Sequence, residues 1–249
     1  MREICIVEFP SNLGLRETAP GVEPGVRKLP GWMKQHGFYD LLRPATVYSL
    51  RPPPFSTRLD GASGVRNADA IAEYARQQAV LLAEVLSLPH FPVVIGGDCS
   101  VLIGNALALK KSGRYGLFFL DGHTDFAGPE LSQTGGAAGM DLAIVTGHGH
   151  QKLSNIDGMG PYVPEDWIWC VGNRDDDEAY VKAIGNSRIH YFDLDAILQM
   201  LLSHPKAVGI EITILDPDLD PAGQYTTQFV HHFCNTFNTA KASLISDVR

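Results

Sequence analysis

The chain has 249 residues, 45% of them hydrophobic, and a net charge of −8. This length and composition suit one large α/β domain and exclude an intrinsically disordered chain. The acidic balance without a Lys or Arg block argues against a nucleic-acid partner or an anionic membrane surface, and no apolar run approaches the roughly 18 residues that span a bilayer.

Apolar runs alternate with segments of helical periodicity along the whole chain. Strands are predicted at residues 4–9, 91–95, 115–120, 167–171, 189–194 and 207–215, and helices at 32–42, 67–88, 100–111 and 226–237. The predicted strands are apolar on both faces, which is typical of a mostly parallel sheet covered by helices on both sides. Because no internal repeat and no clear linker interrupt this pattern, we predict a single domain over residues 1–249.

The cysteines indicate a reducing compartment. They are far apart and show no paired spacing; they are Cys5, Cys99, Cys170 and Cys234. The N-terminal residues do not resemble a signal peptide, since a charged pair precedes a short strand-like run. We therefore expect a soluble cytoplasmic protein with free thiols.

The most informative motif is Asp-Gly-His-Thr-Asp at residues 121–125, directly after an apolar strand. Ligands of open α/β sheets bind beyond the carboxyl ends of the strands. Asp121, His123 and Asp125 alternate, so their side chains should project into one space. Carboxylate oxygen and neutral imidazole nitrogen suit Mn²⁺, Zn²⁺ or Fe²⁺. A polar loop with a helix cap at Asp125 is the alternative that the spacing alone leaves open.

A second polar motif, Gly-Gly-Asp-Cys-Ser at residues 96–100, follows another predicted strand. Its glycines permit a tight turn and a close backbone approach, and Asp98 or Ser100 suits the cap of the next helix. Cys99 should then lie at the same rim of the sheet as Asp121. Taken alone, Gly-Gly-Asp is a weak signal that is usually structural.

Together the two motifs resemble the arginase family, which carries Gly-Gly-Asp-His-Ser after one strand and Asp-Ala-His-x-Asp after the next. Residues 10–14 and 21–25 are also similar to the family's N-terminal loop on the substrate side. The resemblance implies a three-layer α/β/α sandwich with a mostly parallel sheet. It also implies a site with usually two manganese ions, which activate water for attack on a guanidinium carbon and release urea.

The resemblance also implies roles for individual residues. Asp121 would bridge the metals, while His123 and Asp125 would each hold one; these three are the predicted catalytic residues. The further predicted metal ligands are Cys99, Asp193 and Asp195. One or two Mn²⁺ ions are the expected cofactor, with Zn²⁺ or Fe²⁺ as alternatives.

Two departures from the family pattern concern single residues, one in the Gly-Gly-Asp-Cys-Ser motif and one in the segment after the Asp-Gly-His-Thr-Asp motif. Cys99 stands where the family has a histidine ligand, and a thiolate favours Zn²⁺ or Fe²⁺ over Mn²⁺; a buried thiol that binds nothing is the alternative. Ala138 stands where arginases carry a histidine that shuttles protons or contacts substrate. In the loops that follow the motif, Glu130 and Asp141 are candidates for contact with a cationic substrate.

A third departure concerns the family's Ser-x-Asp-x-Asp-x-x-Asp-Pro motif, which no segment matches fully. The pair Asp193 and Asp195 comes nearest but lacks the following Asp-Pro, which occurs instead at Asp216-Pro217 and again at Asp220-Pro221. The chain is also shorter than the roughly 300 residues expected of the family. We therefore expect a missing block near residues 199–202, in which case Asp193 and Asp195 simply follow an ordinary strand.

These observations favour a metal-dependent hydrolase of linear C–N bonds in guanidino or amidine compounds, impaired by the departures. The alternative is a non-catalytic family member that acts as a binding or assembly subunit. A nucleotide-binding domain that uses Gly96 and Gly97 as a phosphate loop ranks last, because no Lys-Ser/Thr follows the glycines. The expected partner is a small guanidino or amidine substrate, and a homo-oligomer is compatible with the sequence.

Overall fold

Every strand pair that the computed structural model describes, within residues 2–173, 177–192 and 208–246, is parallel. The strands are β1 (Glu3–Glu8), β2 (Thr46–Ser49), β3 (His90–Ile95), β4 (Leu117–Leu120), β5 (Ile168–Val171), β6 (His190–Phe192) and β7 (Ile210–Ile212). They form one sheet in the order β2-β1-β3-β7 and a second in the order β4-β5-β6. Parallel neighbours need crossover connections, and helices provide most of them.

The helices flank these sheets. They are α1 (Leu29–Gln35), α2 (Phe38–Leu42), α3 (Ala68–Ser87), α4 (Val101–Ser112), α5 (Asp141–Val145), α6 (Gln151–Ser154), α7 (Glu178–Gly185) and α8 (Gln224–Ser246). Short 3₁₀ segments precede α1 and lie on both sides of α5 and α6. Within the described ranges, no helix combines the length and apolar content needed to cross a membrane.

Strand β1 shows how the layers arise, because successive side chains of a strand point to opposite faces. Ile4 and Ile6 face a core built with α1, α2 and α8. Cys5 and Val7 face a second core, built with α3 and α4, which extends to residues of β4 and β5. The predicted α/β/α sandwich with a parallel sheet is thus confirmed. The extent of the domain over residues 1–249 stays a prediction.

Most predicted elements are present with small shifts of their ends, but the N-terminal region differs. The predicted helix at 32–42 is two helices, because Gly37 adopts a left-handed φ of 77° that interrupts the turn. Strand β2 lies in a stretch that we did not assign, and it is an exposed edge strand with little apolar patterning. Helices α5 and α6 were also not predicted; both are short.

The carboxylate-rich turn at residues 216–221 near the C-terminus has a structural role. The carboxylate of Asp220 accepts hydrogen bonds from the Thr226 amide at 2.8 Å and from the Thr226 hydroxyl at 2.7 Å. These bonds hold the start of α8. Asp218 pairs with Lys28 at 2.5 Å and joins this turn to the N-terminal half of the chain.

Candidate metal centre

Three potential metal ligands converge beyond the carboxyl ends of β3 and β4. Cys99, Asp125 and Asp141 each offer one donor atom, and these atoms all lie within 4.8 Å of one another. Cys99 is 6% exposed and Asp141 is 1% exposed, while Asp125 is partly exposed. The cluster therefore has a buried floor and one side that is open to solvent.

The turn after β3 positions Cys99. A Cβ on Gly97 would lie 1.8 Å from the Ser11 carbonyl oxygen, so only glycine fits this close approach. The Asp98 amide donates to the same carbonyl at 3.0 Å. The Asp98 carboxylate accepts the Ser100 amide at 2.8 Å, which holds the entrance to α4 as the sequence indicated. The Cys99 thiol lies 3.6 Å from the Thr213 hydroxyl, beyond the end of β7.

The other two ligands are tied to each other through the backbone. Asp125 has a positive φ of 43°, which is uncommon for a residue other than glycine and marks a constrained loop. Its carbonyl oxygen accepts the Ala143 amide at 3.1 Å. Ala143 belongs to α5, the helix that begins with Asp141. The loop with the Asp-Gly-His-Thr-Asp motif and the helix with Asp141 are thus fixed against one another.

The N-terminal loop at residues 10–14 contacts both of these regions. Besides the Ser11 contact with the turn after β3, the Gly14 carbonyl oxygen accepts the Ala138 amide at 3.1 Å. Ala138 is 5% exposed and lies just before α5. This contact agrees with the expected placement of the N-terminal loop at the site.

The centre has a surplus of negative charge. Burial, followed by the charges of Asp125, Glu211 and Asp121, raises the pKa of Asp141 well above its ordinary value. Burial, followed by the charges of Asp141 and Asp125, does the same to the pKa of the Cys99 thiol, against a smaller opposing effect of its contact with Thr213. A bound divalent cation would reverse both effects, because it favours the ionised forms of its ligands.

Of the predicted ligands, the structure brings Cys99 and Asp125 together and places Asp121 close to them. The Asp121 carboxylate is 19% exposed; one oxygen accepts the His123 amide at 2.8 Å and lies 3.5 Å from His123 Nδ1. The His123 side chain is 68% exposed and faces solvent in this conformation. Asp193 lies outside the described residues, as does Asp195, and the ligand roles of all six residues stay predictions.

Asp141 is the member of the cluster whose position we did not anticipate. We considered it as a substrate contact, but its carboxylate lies in the floor of the site. A charged residue at the start of an apolar run, Leu142 to Val145, was the available signal in the sequence. Glu130, the other candidate substrate contact, is exposed.

The parallel sheet and the ligands beyond its strand ends define an α/β protein with a candidate metal centre at the usual ligand-binding edge. The sequence profile of the Arginase family matches residues 35–204. The chain belongs to the arginase family.

Individual relatives agree with this assignment. The arginase of Bacillus caldovelox is 31% identical over 204 residues, which is 79% of this chain and 66% of that protein, just under two thirds of its length. The crystal structure of the same enzyme superposes with a TM-score of 0.81 at 23% identity and covers 95% of this chain and 98% of that one. Entamoeba histolytica arginase, solved in complex with L-ornithine, superposes with a TM-score of 0.77 at 19% identity and covers 95% and 99%.

Proposed function

We propose that this protein is a metal-dependent hydrolase of linear C–N bonds in guanidino or amidine compounds. The observation that carries the proposal is the convergence of a thiol and two carboxylates within 4.8 Å at the carboxyl ends of β3 and β4. Family membership supports the reaction class, and the ligands of the site support dependence on a metal.

The residues present fit a divalent cation. The donor set of one sulfur and two carboxylate oxygens suits such an ion, and Asp141 Oδ1 is a buried oxygen without a hydrogen-bond partner among the described residues. Cys99 and Asp125 would hold the cation, with Asp121 beside them. His123 would join after a side-chain rotation from its exposed position. When bound, a divalent cation lowers the pKa of a coordinated water and stabilises negative charge that develops on the substrate.

The chain's own residues provide the remaining features of such a site. The carboxylates favour a cationic substrate, and the planar guanidinium group is a good partner for them because its N–H groups match carboxylate geometry. The buried side chains of Cys99 and Asp141 close the floor against water. The exposed His123 lies at the open side, where a substrate would enter. That E. histolytica arginase binds L-ornithine, an amino acid with a terminal amine, supports a small cationic substrate here.

Hydrolysis of arginine or agmatine should nevertheless be weak. Ala138 cannot carry a proton, and a well-placed general acid or base contributes roughly 10²- to 10⁴-fold to a rate. Cys99 changes the ligand character of the first metal position. Because both changes act on one centre, their effects need not multiply.

The test is urea or ammonia release from a panel of guanidino and amidine compounds, with Mn²⁺, Zn²⁺ or Fe²⁺ added to protein stripped with a chelator. We expect metal-dependent release that Asp125→Asn reduces at least about 100-fold, as loss of a metal-bound carboxylate should. Asp40→Asn makes the same chemical change at an exposed position of α2 and is the matched control. Release that survives in the metal-free protein or in Asp125→Asn would contradict the proposal.

A non-catalytic family member is the second candidate, and Ala138 is the observation that favours it. Such a protein would bind a cation and a guanidino compound without turnover, as a binding or assembly subunit. Isothermal titration with arginine alongside the release assay separates the two candidates. Sedimentation of the same samples would test the homo-oligomer.

The cytoplasm remains our proposed location. All four cysteines are buried, and the described parts of the chain contain no disulfide between them. Free thiols persist most readily in a reducing compartment.

A further inference from the structure

We infer that Asp141 is itself a metal ligand, and that with Cys99 and Asp125 it forms a compact thiolate–carboxylate site that takes one zinc-class cation in preference to manganese. This inference rests on the proposed function and specifies which residues select the metal. It goes beyond the resemblance to arginases, which gave Asp141 no role as a ligand; the family has a histidine at the position of Cys99.

The first observation is that the Asp141 carboxylate is buried and only partly hydrogen-bonded. The residue is 1% exposed, and its Oδ1 has no hydrogen-bond partner in the described parts of the chain. Buried carboxylates are almost always paired, hydrogen-bonded or bound to a metal. The backbone of Leu142 hydrogen-bonds to this carboxylate, and the Cys99 thiol and the Asp125 carboxylate bring their donor atoms within 4.8 Å of it.

A structural role for Asp141 explains less. As the first residue of α5 it lies near the positive end of a helix, but α5 has only five residues and its dipole is correspondingly weak. Its neighbours Met140 and Leu142 are fully buried apolar side chains. A carboxylate between two buried apolar side chains, with Oδ1 lacking a hydrogen-bond partner among the described residues, therefore indicates a ligand.

The donor atoms provide the second observation. Ligand atoms of a tetrahedral zinc site lie about 3.4–3.6 Å apart, as follows from typical Zn–S and Zn–O distances. The three donors already lie within 4.8 Å of one another, so small side-chain adjustments suffice. Cys99 is held in place by the glycine turn and by its contact with Thr213.

The sulfur decides the choice of metal. A thiolate is a soft ligand that favours Zn²⁺, Co²⁺ or Fe²⁺, whereas Mn²⁺ prefers hard oxygen donors and lies at the weak end of the affinity series. With only two carboxylates completing the set, we expect one cation per chain at this site, bound through sulfur.

Cobalt titration of the chelator-stripped full chain tests the inference. Co²⁺ bound to a thiolate absorbs in the near ultraviolet through charge transfer from sulfur, a signal that does not depend on activity. We expect one equivalent of Co²⁺ to produce this band and Zn²⁺ to displace it. A large excess of Mn²⁺ should leave it in place.

Variants then assign the ligands. Cys99→Ser should abolish the band, while Cys234→Ala, which alters a buried thiol in α8, should leave it unchanged. Asp141→Asn keeps the shape of the side chain and should weaken Zn²⁺ binding about tenfold or more, since even residues that only support metal ligands cost 10- to 100-fold. Asp141→Glu keeps a carboxylate and should retain binding better than Asp141→Asn. Circular dichroism of each metal-free variant confirms that it is folded.

The outcomes separate this inference from the proposed function. Metal binding without the sulfur band, or with an affinity that Asp141→Asn does not change, overturns the inference and leaves a metal-dependent hydrolase standing. Absence of binding for every divalent cation overturns both. If Asp141→Asn does not fold, X-ray absorption at the zinc edge of the wild-type protein decides, because the inference requires one sulfur among the zinc ligands.

Discussion

Glu211→Gln should make the stability of the protein markedly less sensitive to a rise in pH from about 5 to about 8. Glu211 lies in β7 in register with Val94 of β3, and its side chain accepts a hydrogen bond from the Asn105 amide of α4. Burial raises the pKa of Glu211 to about 7; the Asn105 hydrogen bond opposes the rise and the charge of Asp98 adds to it. Glutamine keeps an acceptor for Asn105 but removes the buried charge.

The size of the effect follows from the two pKa values. A rise from the ordinary 4.5 to about 7 disfavours the ionised form by about 3.4 kcal/mol in the folded protein. Because the folded state holds the proton more tightly than the unfolded state, Glu211 lowers stability as the pH rises through the interval between these values. Integrated from about pH 5 to about pH 8, this loss is at most about 2.5 kcal/mol, and partial exposure reduces it.

The assay is urea unfolding of the chelator-treated protein at several pH values. The unfolding free energy of Glu211→Gln minus that of wild type should increase by about 1–2.5 kcal/mol between about pH 5 and about pH 8. Taking this difference cancels the pH dependence of acids that do not interact with Glu211; the contribution of Asp141 changes in the same direction, because the charge of Glu211 raises its pKa. Glu84→Gln, at an exposed position of α3, is the matched control and should follow wild type. A difference that is flat across this range would show that Glu211 is not buried as an ionised carboxylate.

Three further predictions concern the frame of the site and its cation. Gly97→Ala would place a methyl group 1.8 Å from the Ser11 carbonyl oxygen, so we expect a loss of more than about 3 kcal/mol in urea unfolding; a loss below about 1 kcal/mol would contradict the tight turn. Tyr162→Phe removes a buried hydroxyl that bonds two backbone groups at 2.6 and 2.7 Å, and should cost about 1–3 kcal/mol in the same assay; an unchanged midpoint would contradict this. Zn²⁺ at about 100 times its dissociation constant should stabilise the wild type by about 2.7 kcal/mol. In thermal melts Asp125→Ala should lose most of that gain, and retention of the full gain would remove Asp125 from the site.

The sequence predicted the helix and sheet layers of the fold well. The spacing of apolar residues distinguishes helices from strands, and their number shows which faces are buried. The helix predicted at 67–88 is α3 over Ala68–Ser87, and the strand predicted at 91–95 is β3 over His90–Ile95. Both segments bury a clear face, so tertiary packing and local preference agree. The elements that were not predicted include β2, α5 and α6, which are short and depend on contacts with distant residues that no local pattern reveals.

For the site, the sequence indicated the strand ends but not which carboxylate would complete the cluster. Cys99 and Asp125 were expected to meet because the carboxyl ends of neighbouring parallel strands lie at one edge. Asp141 lies beside them in a short helix, α5, whose Ala143 amide bonds to the Asp125 carbonyl. This hydrogen bond joins the loop that contains Asp125 to the short helix α5. Neither segment has an apolar periodicity from which the contact could be predicted.

The raised pKa values of Asp141 and Glu211 indicate whether the centre has a role other than packing. Asp141 and Glu211 both have raised pKa values, and Asp141 Oδ1 lacks a hydrogen-bond partner among the described residues. Each of these features makes the cation-free fold less stable at neutral pH than an apolar core of the same shape. A cation reverses the cost for Asp141 and Cys99, whose donor atoms it would contact, whereas Glu211 is bonded to Asn105 and should keep its pH dependence. Zinc should therefore flatten the pH dependence of wild-type stability only in part, and Glu211→Gln should remove much of what remains.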